Sequence, residues 1–168
     1  GEGLLLFDAG NCGNGATAML IQAIWEMGFN PADVKWMVLS HGHVDHIGAV
    51  NFFKRMFGTK IYLGALDAKM FREHPELALV QESTDYMDEL FVPDVEIHEG
   101  DIMGIGDHGM LTVGTGIETV ALDSLKAMAD EESELVTIYY GSDVKEEDAQ
   151  ALLDKAKEAF PDLEIELQ

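Results

Sequence analysis

Short apolar runs alternate with helical patterns through the first part of this chain. The runs cover residues 4–7, 34–39 and 60–63, and Gly-rich or polar turns bound them. Between them, residues 16–27 and 47–57 carry apolar side chains at helical spacing. A short strand without polar alternation is typical of a sheet that is buried on both faces. Strands of this kind alternating with helices predict an α/β fold with a mostly parallel sheet.

The second half continues the alternation. Residues 135–140 form another strong apolar run, residues 116–129 have a helical pattern, and residues 163–167 resemble a last strand. Each half offers too few strands to bury a sheet on both faces alone. We therefore expect a single α/β domain over residues 1–168, built as a three-layer sandwich with helices on both faces. The first two apolar runs and residues 135–140 are expected in one central sheet.

Charge and cysteine content narrow the classes of partner. There are 32 Asp and Glu residues against 10 Lys and Arg, for a formal net charge of −22. Binding to the phosphates of nucleic acid or of a membrane needs clustered cations, and an acidic chain offers few. We therefore expect no nucleic acid and no membrane partner. The expected partner is a small-molecule substrate. The sequence leaves the oligomeric state unknown. Cys12, the single cysteine, fits a reducing compartment, and neither a signal peptide nor a membrane-spanning run is recognisable, so we predict a cytoplasmic protein.

Four potential metal ligands lie within six residues, directly after the second apolar run. They are His41, His43, Asp45 and His46. The carboxyl end of a parallel strand is where open α/β sheets place their sites. Residues two apart in an extended segment point the same way, so His41 and His43 can hold one ion. Asp45 and His46, at the turn into the next helix, can reach a second. The alternative is a set of exposed loop histidines without a ligand.

The donor types indicate the metal and its chemistry. Imidazole and carboxylate together favour Zn, as one or two ions, with Fe, Mn or Ni as alternatives. Two ions about 3.5–4 Å apart can share a water and hold it as hydroxide for attack on a carbonyl or phosphoryl group. Asp45 is the candidate catalytic residue, because a carboxylate beside that water can accept its proton.

The segment 40–48, S-H-G-H-V-D-H-I-G, resembles the H-x-H-x-D-H signature of the metallo-β-lactamase superfamily. The strand ending in D-A-G at residues 8–10 is similar to the strand ending in Asp-x-Gly that precedes this motif in the family. The resemblance covers about residues 3–71. It implies a truncated metallo-β-lactamase-like half with two metal positions. His41 and His43 would serve one ion, Asp45 and His46 the other, and Asp8 would be a structural residue beside the site.

The family's remaining ligands are not recognisable. A Pro-Gly-His-Thr type loop normally supplies the next ligand, whereas residues 114–117 read G-T-G-I. His98, His108 and Asp143 are the candidates to fill the gap. The alternative for both histidines is a plain surface residue. For Asp143, which follows a predicted strand, it is a helix cap reinforced by Glu146 three residues later.

Residues 100–167 resemble a different family, the C-terminal region of dihydroxyacetone-kinase-like proteins, which include bacterial fatty-acid kinases. The strings that carry this resemblance are G-D-I-M-G-I, L-V-T-I-Y-Y-G-S-D-V and F-P-D-L-E-I-E-L. They include no catalytic motif, so kinase activity is not implied. Two half-resemblances predict a chimera with an internal junction near residues 93–101, which joins residues 1–99 to residues 100–168.

Three functions follow from these observations. The first is a metal-dependent hydrolase of metallo-β-lactamase type, weak or broad in substrate, that uses a metal-bound hydroxide. The second is an engineered or chimeric metal-binding scaffold with little catalysis. The third is a protein-interaction domain, the role that the kinase-like region implies. Metal content separates the third from the other two, and turnover separates the first from the second.

Overall fold

The computed structural model describes residues 3–13, 15–78, 90–106, 109–130 and 133–168. The strands in these ranges are β1 (Leu4–Phe7), β2 (Val34–Val38), β3 (Lys60–Gly64), β4 (Val95–Ile97), β5 (Asp101–Gly106), β6 (Gly109–Thr115), β7 (Leu135–Ile138) and β8 (Glu164–Leu167). The α-helices are α1 (Ala16–Glu26), α2 (Val44–Ile47), α3 (Val50–Phe57), α4 (Ala65–Glu73), α5 (Ile117–Met128) and α6 (Glu146–Ala159). The mixed α/β class with a parallel sheet is confirmed.

Strands β1 to β4 form one parallel sheet in the order β1-β2-β3-β4. Side chains alternate between its faces, as the pleat requires. On one face, Met37 and Ile61 pack with Phe53 of α3 in the main core, and all three are fully buried. On the other face, Val38 and Tyr62 pack against β6. The two apolar faces explain why β2 and β3 are nearly unbroken apolar runs.

The second face of this sheet is covered by a hairpin. Strands β5 and β6 pair antiparallel, and Met110 of β6 is buried against the sheet. Helix α5 lies on the hairpin, where Gly104 of β5 leaves room for Ser124. The layers are therefore helices, parallel sheet, hairpin and α5. This differs from the expected three layers, because a hairpin with apolar side chains takes the place of a helix on the second face.

Strand β7 does not join the first sheet. It pairs in parallel with β8 in a separate two-stranded sheet. The prediction that residues 135–140 share a sheet with the first two apolar runs is therefore wrong. Helices α5 and α6 bury the apolar face of this strand pair, since Leu125, Leu153 and Ile165 form a second buried cluster. The single domain over residues 1–168 and the junction near residues 93–101 stay predictions.

Helix α6 begins without a side-chain cap. Its N-cap residue is Lys145, and no side chain there accepts a hydrogen bond from the first turn. The interpretation of Asp143 as the helix cap is therefore wrong, because the helix starts too late for Asp143 to reach it. Three acidic residues in the first turn interact favourably with the helix dipole instead. Within the described ranges, no helix combines the length and the apolar composition that crossing a membrane requires.

Candidate metal centre

The candidate ligands lie at the carboxyl edge of the parallel sheet. Strands β1 and β2 end side by side, with Phe7 opposite Val38 in the register. Asp8 follows β1, and its backbone N–H donates to the carbonyl of Val38 at 2.9 Å. The loop that follows β2 carries residues 41–46 into the short helix α2. The candidate ligands therefore lie at the sheet edge that the sequence predicts for them.

Three of the four predicted ligands come together. One ligand atom each of His41, Asp45 and His46 lies within 4.8 Å of the other two. The Nε2 atom of His46 is 3.6 Å from a carboxylate oxygen of Asp45, and the rings of His41 and His46 are 3.9 Å apart between centroids. Both of these histidines are half-buried, whereas Asp45 is exposed. Two imidazoles and a carboxylate are a donor set that suits zinc and related divalent ions.

His43 stands beside this group rather than in it. It is exposed, and its ring meets that of His41 edge-on with centroids 4.9 Å apart. His43 is the N-cap residue of α2, and its carbonyl accepts a hydrogen bond from the backbone of His46 at 2.9 Å. This turn carries His46 back over His41. The extended backbone on which the pairing of His41 with His43 was predicted therefore ends at His43, where α2 begins. His43 stays a predicted ligand.

Asp8 fixes the orientation of His46. Its carboxylate accepts a hydrogen bond from Nδ1 of His46 at 2.8 Å, which leaves Nε2 free on the side of Asp45. Ser40 donates to the same carboxylate from its backbone N–H at 2.8 Å and from its hydroxyl. The Ser40 hydroxyl also lies 3.0 Å from Nδ1 of His41. A carboxylate behind a ligating imidazole sets its tautomer and raises its basicity.

These contacts shift the pKa values of the pair in opposite directions. The hydrogen bond to Asp8 and the nearby carboxylates raise the pKa of His46, although partial desolvation opposes them. Burial alone would raise the pKa of Asp8, but the hydrogen bonds from Ser40 and His46 outweigh it and lower the pKa of that carboxyl. The ionised pair is therefore favoured in the folded protein.

We expect the stabilisation by this pair to peak between about pH 4 and pH 6.5 in the chelated protein. His46, with a raised pKa, stabilises below its unfolded pKa of about 6.5, and this contribution is lost as the pH rises through the folded value. Asp8, with a lowered pKa, stabilises above about pH 3.9, and this contribution is lost as the pH falls through its folded value. The stabilisation by the Asp8–His46 pair is measured as the difference in thermal midpoint between wild type and Asp8→Asn from pH 3 to pH 8. A constant difference between the two proteins across that range would contradict the coupling.

The loop after β1 is joined to the α2–α3 turn by backbone hydrogen bonds. Ala9 donates to the carbonyl of His46 and Gly48 donates to the carbonyl of Gly10, each at 2.7 Å. A Cβ atom on Gly48 would overlap the backbone carbonyl group of Asn11. The sequence predicts one helix over residues 47–57, whereas α3 begins only at Val50 and the separate α2 ends at Ile47. The close approach of the two backbones at Gly48 explains this break.

A second carboxylate supports the loop from the other side. Asp67, in the first turn of α4, accepts a hydrogen bond from the backbone N–H of Gly42 at 2.8 Å. A Cβ atom on Gly42 would lie 2.6 Å from the ring of Phe71, so this position requires glycine. Sequence reasoning missed Asp67, because it lies 25 residues from its partner and no local spacing links them.

Of the three candidates for the missing ligand, the structure describes two, and neither belongs to this group. His98 follows β4 at the same sheet edge but is exposed, and β3 separates β4 from β2. Its backbone N–H donates to Asp101 at 2.7 Å. Asp143 is exposed in the loop between β7 and α6. His108 lies outside the described residues.

Two comparisons based on sequence give relatives of different kinds. Residues 88–168 match a family model described as FakA-like, the C-terminal region of a fatty acid kinase component. An uncharacterized protein of Aquifex aeolicus is 33% identical over 73 residues, which are 42% of this chain and 33% of the relative. Hydroxyacylglutathione hydrolase GloC of Haemophilus influenzae is 38% identical over 65 residues, 38% of this chain and 29% of the relative. The chain spans a third or less of the curated relatives it matches.

Solved structures place the fold. The class B3 di-zinc metallo-beta-lactamase LRA-12 from an Alaskan soil metagenome matches with a TM-score of 0.52 and 22% identity over 63% of this chain and 39% of that one. Metallo-beta-lactamase GOB-18 of Elizabethkingia meningoseptica matches with a TM-score of 0.51 and 18% identity over 95% of this chain and 62% of that one. Both resemblances recognised in the sequence are confirmed. The chain has an α/β fold similar to metallo-β-lactamases and a second half similar to a fatty acid kinase component, as expected of a chimera.

Proposed function

We propose that this chain acts as a metal-dependent hydrolase of metallo-β-lactamase type on small-molecule substrates. The observation that carries the proposal is the convergence of His41, Asp45 and His46 to within 4.8 Å of one another at the carboxyl edge of the sheet. The likeness to metallo-β-lactamase structures and the match to a protein named as a hydrolase support it.

The residues present fit a divalent ion, with zinc as the first choice and Fe, Mn or Ni as alternatives. His41 and His46 offer imidazole nitrogens and Asp45 offers carboxylate oxygens, while Asp8 accepts from the far nitrogen of His46. A carboxylate that holds a ligating histidine is the common outer partner of zinc sites. A bound ion supplies Lewis acidity toward a carbonyl or phosphoryl oxygen and lowers the pKa of water.

Each residue of the candidate site then has a defined role. Asp45 is exposed beside Nε2 of His46, where its carboxylate can accept a proton from an attacking water or orient that water. Asp8 and Ser40 hold His41 and His46 in place. Because Asp45 is open to solvent, the described part of the site does not exclude water. We therefore propose weak, broad hydrolysis of esters, lactams, thioesters or phosphodiesters.

Metal content and turnover together test the proposal. Protein purified from zinc-supplemented medium without chelator is expected to carry at least one ion per chain by elemental analysis. It should hydrolyse a chromogenic cephalosporin, a thioester or a phosphodiester and lose that activity on chelation. His41→Ala is the variant expected to lose metal, and His74→Ala, exposed at the end of α4, is its matched control. Metal-free wild-type protein would contradict the proposal.

A metal-binding scaffold with little catalysis is the second candidate. The exposure of Asp45 and the three-residue donor group favour it, because a loosely held ion positions a substrate poorly. One ion per chain with no turnover on any of the three substrate classes would select it over the hydrolase. Protein that neither binds metal nor turns over substrate would leave the protein-interaction domain.

A further inference from the structure

We propose that Asp67 is a positioning residue of the metal centre, which holds the metal-binding loop through the backbone of Gly42. The inference rests on the proposed function, because it concerns the affinity of the same site. Gly42 lies between His41 and His43 in sequence, and its N–H donates to Oδ1 of Asp67 at 2.8 Å. Asp67 stands outside the donor group of His41, Asp45 and His46, and this bond joins it to the segment that carries them.

Gly42 lies in a tightly packed position. Gly42 is buried, and a Cβ atom there would lie 2.6 Å from the ring of Phe71 and 3.1 Å from Asp67. Phe71 is itself 8% exposed and packs edge-on against Phe91, with centroids 5.2 Å apart. The loop therefore rests on an anchored aromatic ring. The hydrogen bond to Asp67 then fixes the orientation of the peptide group between His41 and Gly42.

The loop is held from both neighbouring strands. Asp8 follows β1 and holds His46, whereas Asp67 follows β3 and holds Gly42, and β2 lies between those two strands. Loss of either carboxylate frees one side of the loop. Partners behind metal ligands typically change metal affinity by about 10–100-fold when they are removed. We expect an effect of that size from Asp67, although its hydrogen bond goes to the backbone of Gly42 and not to a ligand side chain.

Three variants separate the hydrogen bond from charge and from the helix. Asp67→Ala removes the acceptor, Asp67→Asn keeps an acceptor oxygen and removes the charge, and Glu73→Ala removes an exposed carboxylate from the same helix. The dissociation constant for Zn²⁺ is measured by competition with a chromogenic chelator, and the Co²⁺ absorption spectrum reports ligand geometry. Circular dichroism establishes that each variant is folded.

The expected result is a dissociation constant about 10–100-fold higher for Asp67→Ala, with an altered Co²⁺ spectrum. Asp67→Asn and Glu73→Ala should stay close to wild type. Unchanged affinity in Asp67→Ala overturns the inference, and equal loss in Asp67→Ala and Asp67→Asn overturns it in favour of charge alone. If Asp67→Ala does not fold, Asp67→Ser takes its place, because the shorter serine side chain moves the acceptor away from the N–H of Gly42. Raised dissociation constants in Asp67→Ser but not in Asp67→Asn support the inference, and an unchanged constant in Asp67→Ser overturns it. Wild type that binds no metal overturns the proposed function, and Asp67 then has no site to position.

Discussion

Asp45→Asn is expected to lower turnover by about 10²–10⁴-fold, the usual contribution of a positioned general base. The exposed carboxylate of Asp45 lies 3.6 Å from Nε2 of His46, and asparagine keeps its shape but cannot take up a proton. Because His41 and His46 remain, metal content should fall much less than the rate. Steady-state turnover and elemental analysis on the same preparation measure both quantities.

The matched control for this prediction is Asp33→Asn. Asp33 is an exposed aspartate at the end of a short 3-10 turn before β2, at the opposite end of that strand from the ligands. Its substitution removes the same charge and should leave turnover and metal content unchanged. If Asp45→Asn changes neither quantity, Asp45 is neither ligand nor base and the proposed mechanism is wrong.

Gly48→Ala is expected to destabilise the folded state by about 3 kcal/mol or more, at or beyond the upper end of overpacking effects. The added methyl group meets the backbone of Asn11 and Cys12, which cannot turn away as a side chain would. Relieving the overlap would separate the loop after β1 from the α2–α3 turn. That separation breaks the hydrogen bond from Gly48 to Gly10. Denaturant unfolding of the chelated protein measures the free energy directly.

Gly114→Ala is the control for that measurement. Gly114 lies in β6, and a Cβ atom there makes only an ordinary contact with Val120 at 3.7 Å. Its free energy of unfolding should stay within about 1 kcal/mol of wild type. Equal stability of the two alanine variants would show that residues 11–12 do not pass against Gly48 as described.

Local signals in the sequence predicted much of the fold. The run at 34–39 became β2, and the helical patterns at 16–27 and 116–129 became α1 and α5. Each of these signals lies within the element that it determines, so the periodicity of apolar residues is enough to predict it. The same locality brings together His41, Asp45 and His46, which lie within one six-residue segment.

The features that sequence reasoning missed depend on distant partners. Strand β7 has the apolar run of a central strand, but α5 and α6 supply its burial, and the sequence does not say which strand it will pair with. The break at Gly48 arises from a loop more than 30 residues upstream. Asp67 is an ordinary acidic residue of a first helical turn until its contact with Gly42 is seen.

Strand β4 lies within the stretch that matches the fatty acid kinase family, yet it pairs with β3 of the sheet that carries the ligands. Phe91, in the same stretch, packs against the ring beneath Gly42. Recombination upstream of β4 would therefore place β4 and the ring of Phe91, both from the kinase-like parent, in the core of the metallo-β-lactamase-like parent. Descendants of such an event would be selected on the fit of that strand from the first generation. Substitutions that adapt one parental sequence to the other should accumulate along β3, β4 and the Phe71–Phe91 contact before they accumulate elsewhere.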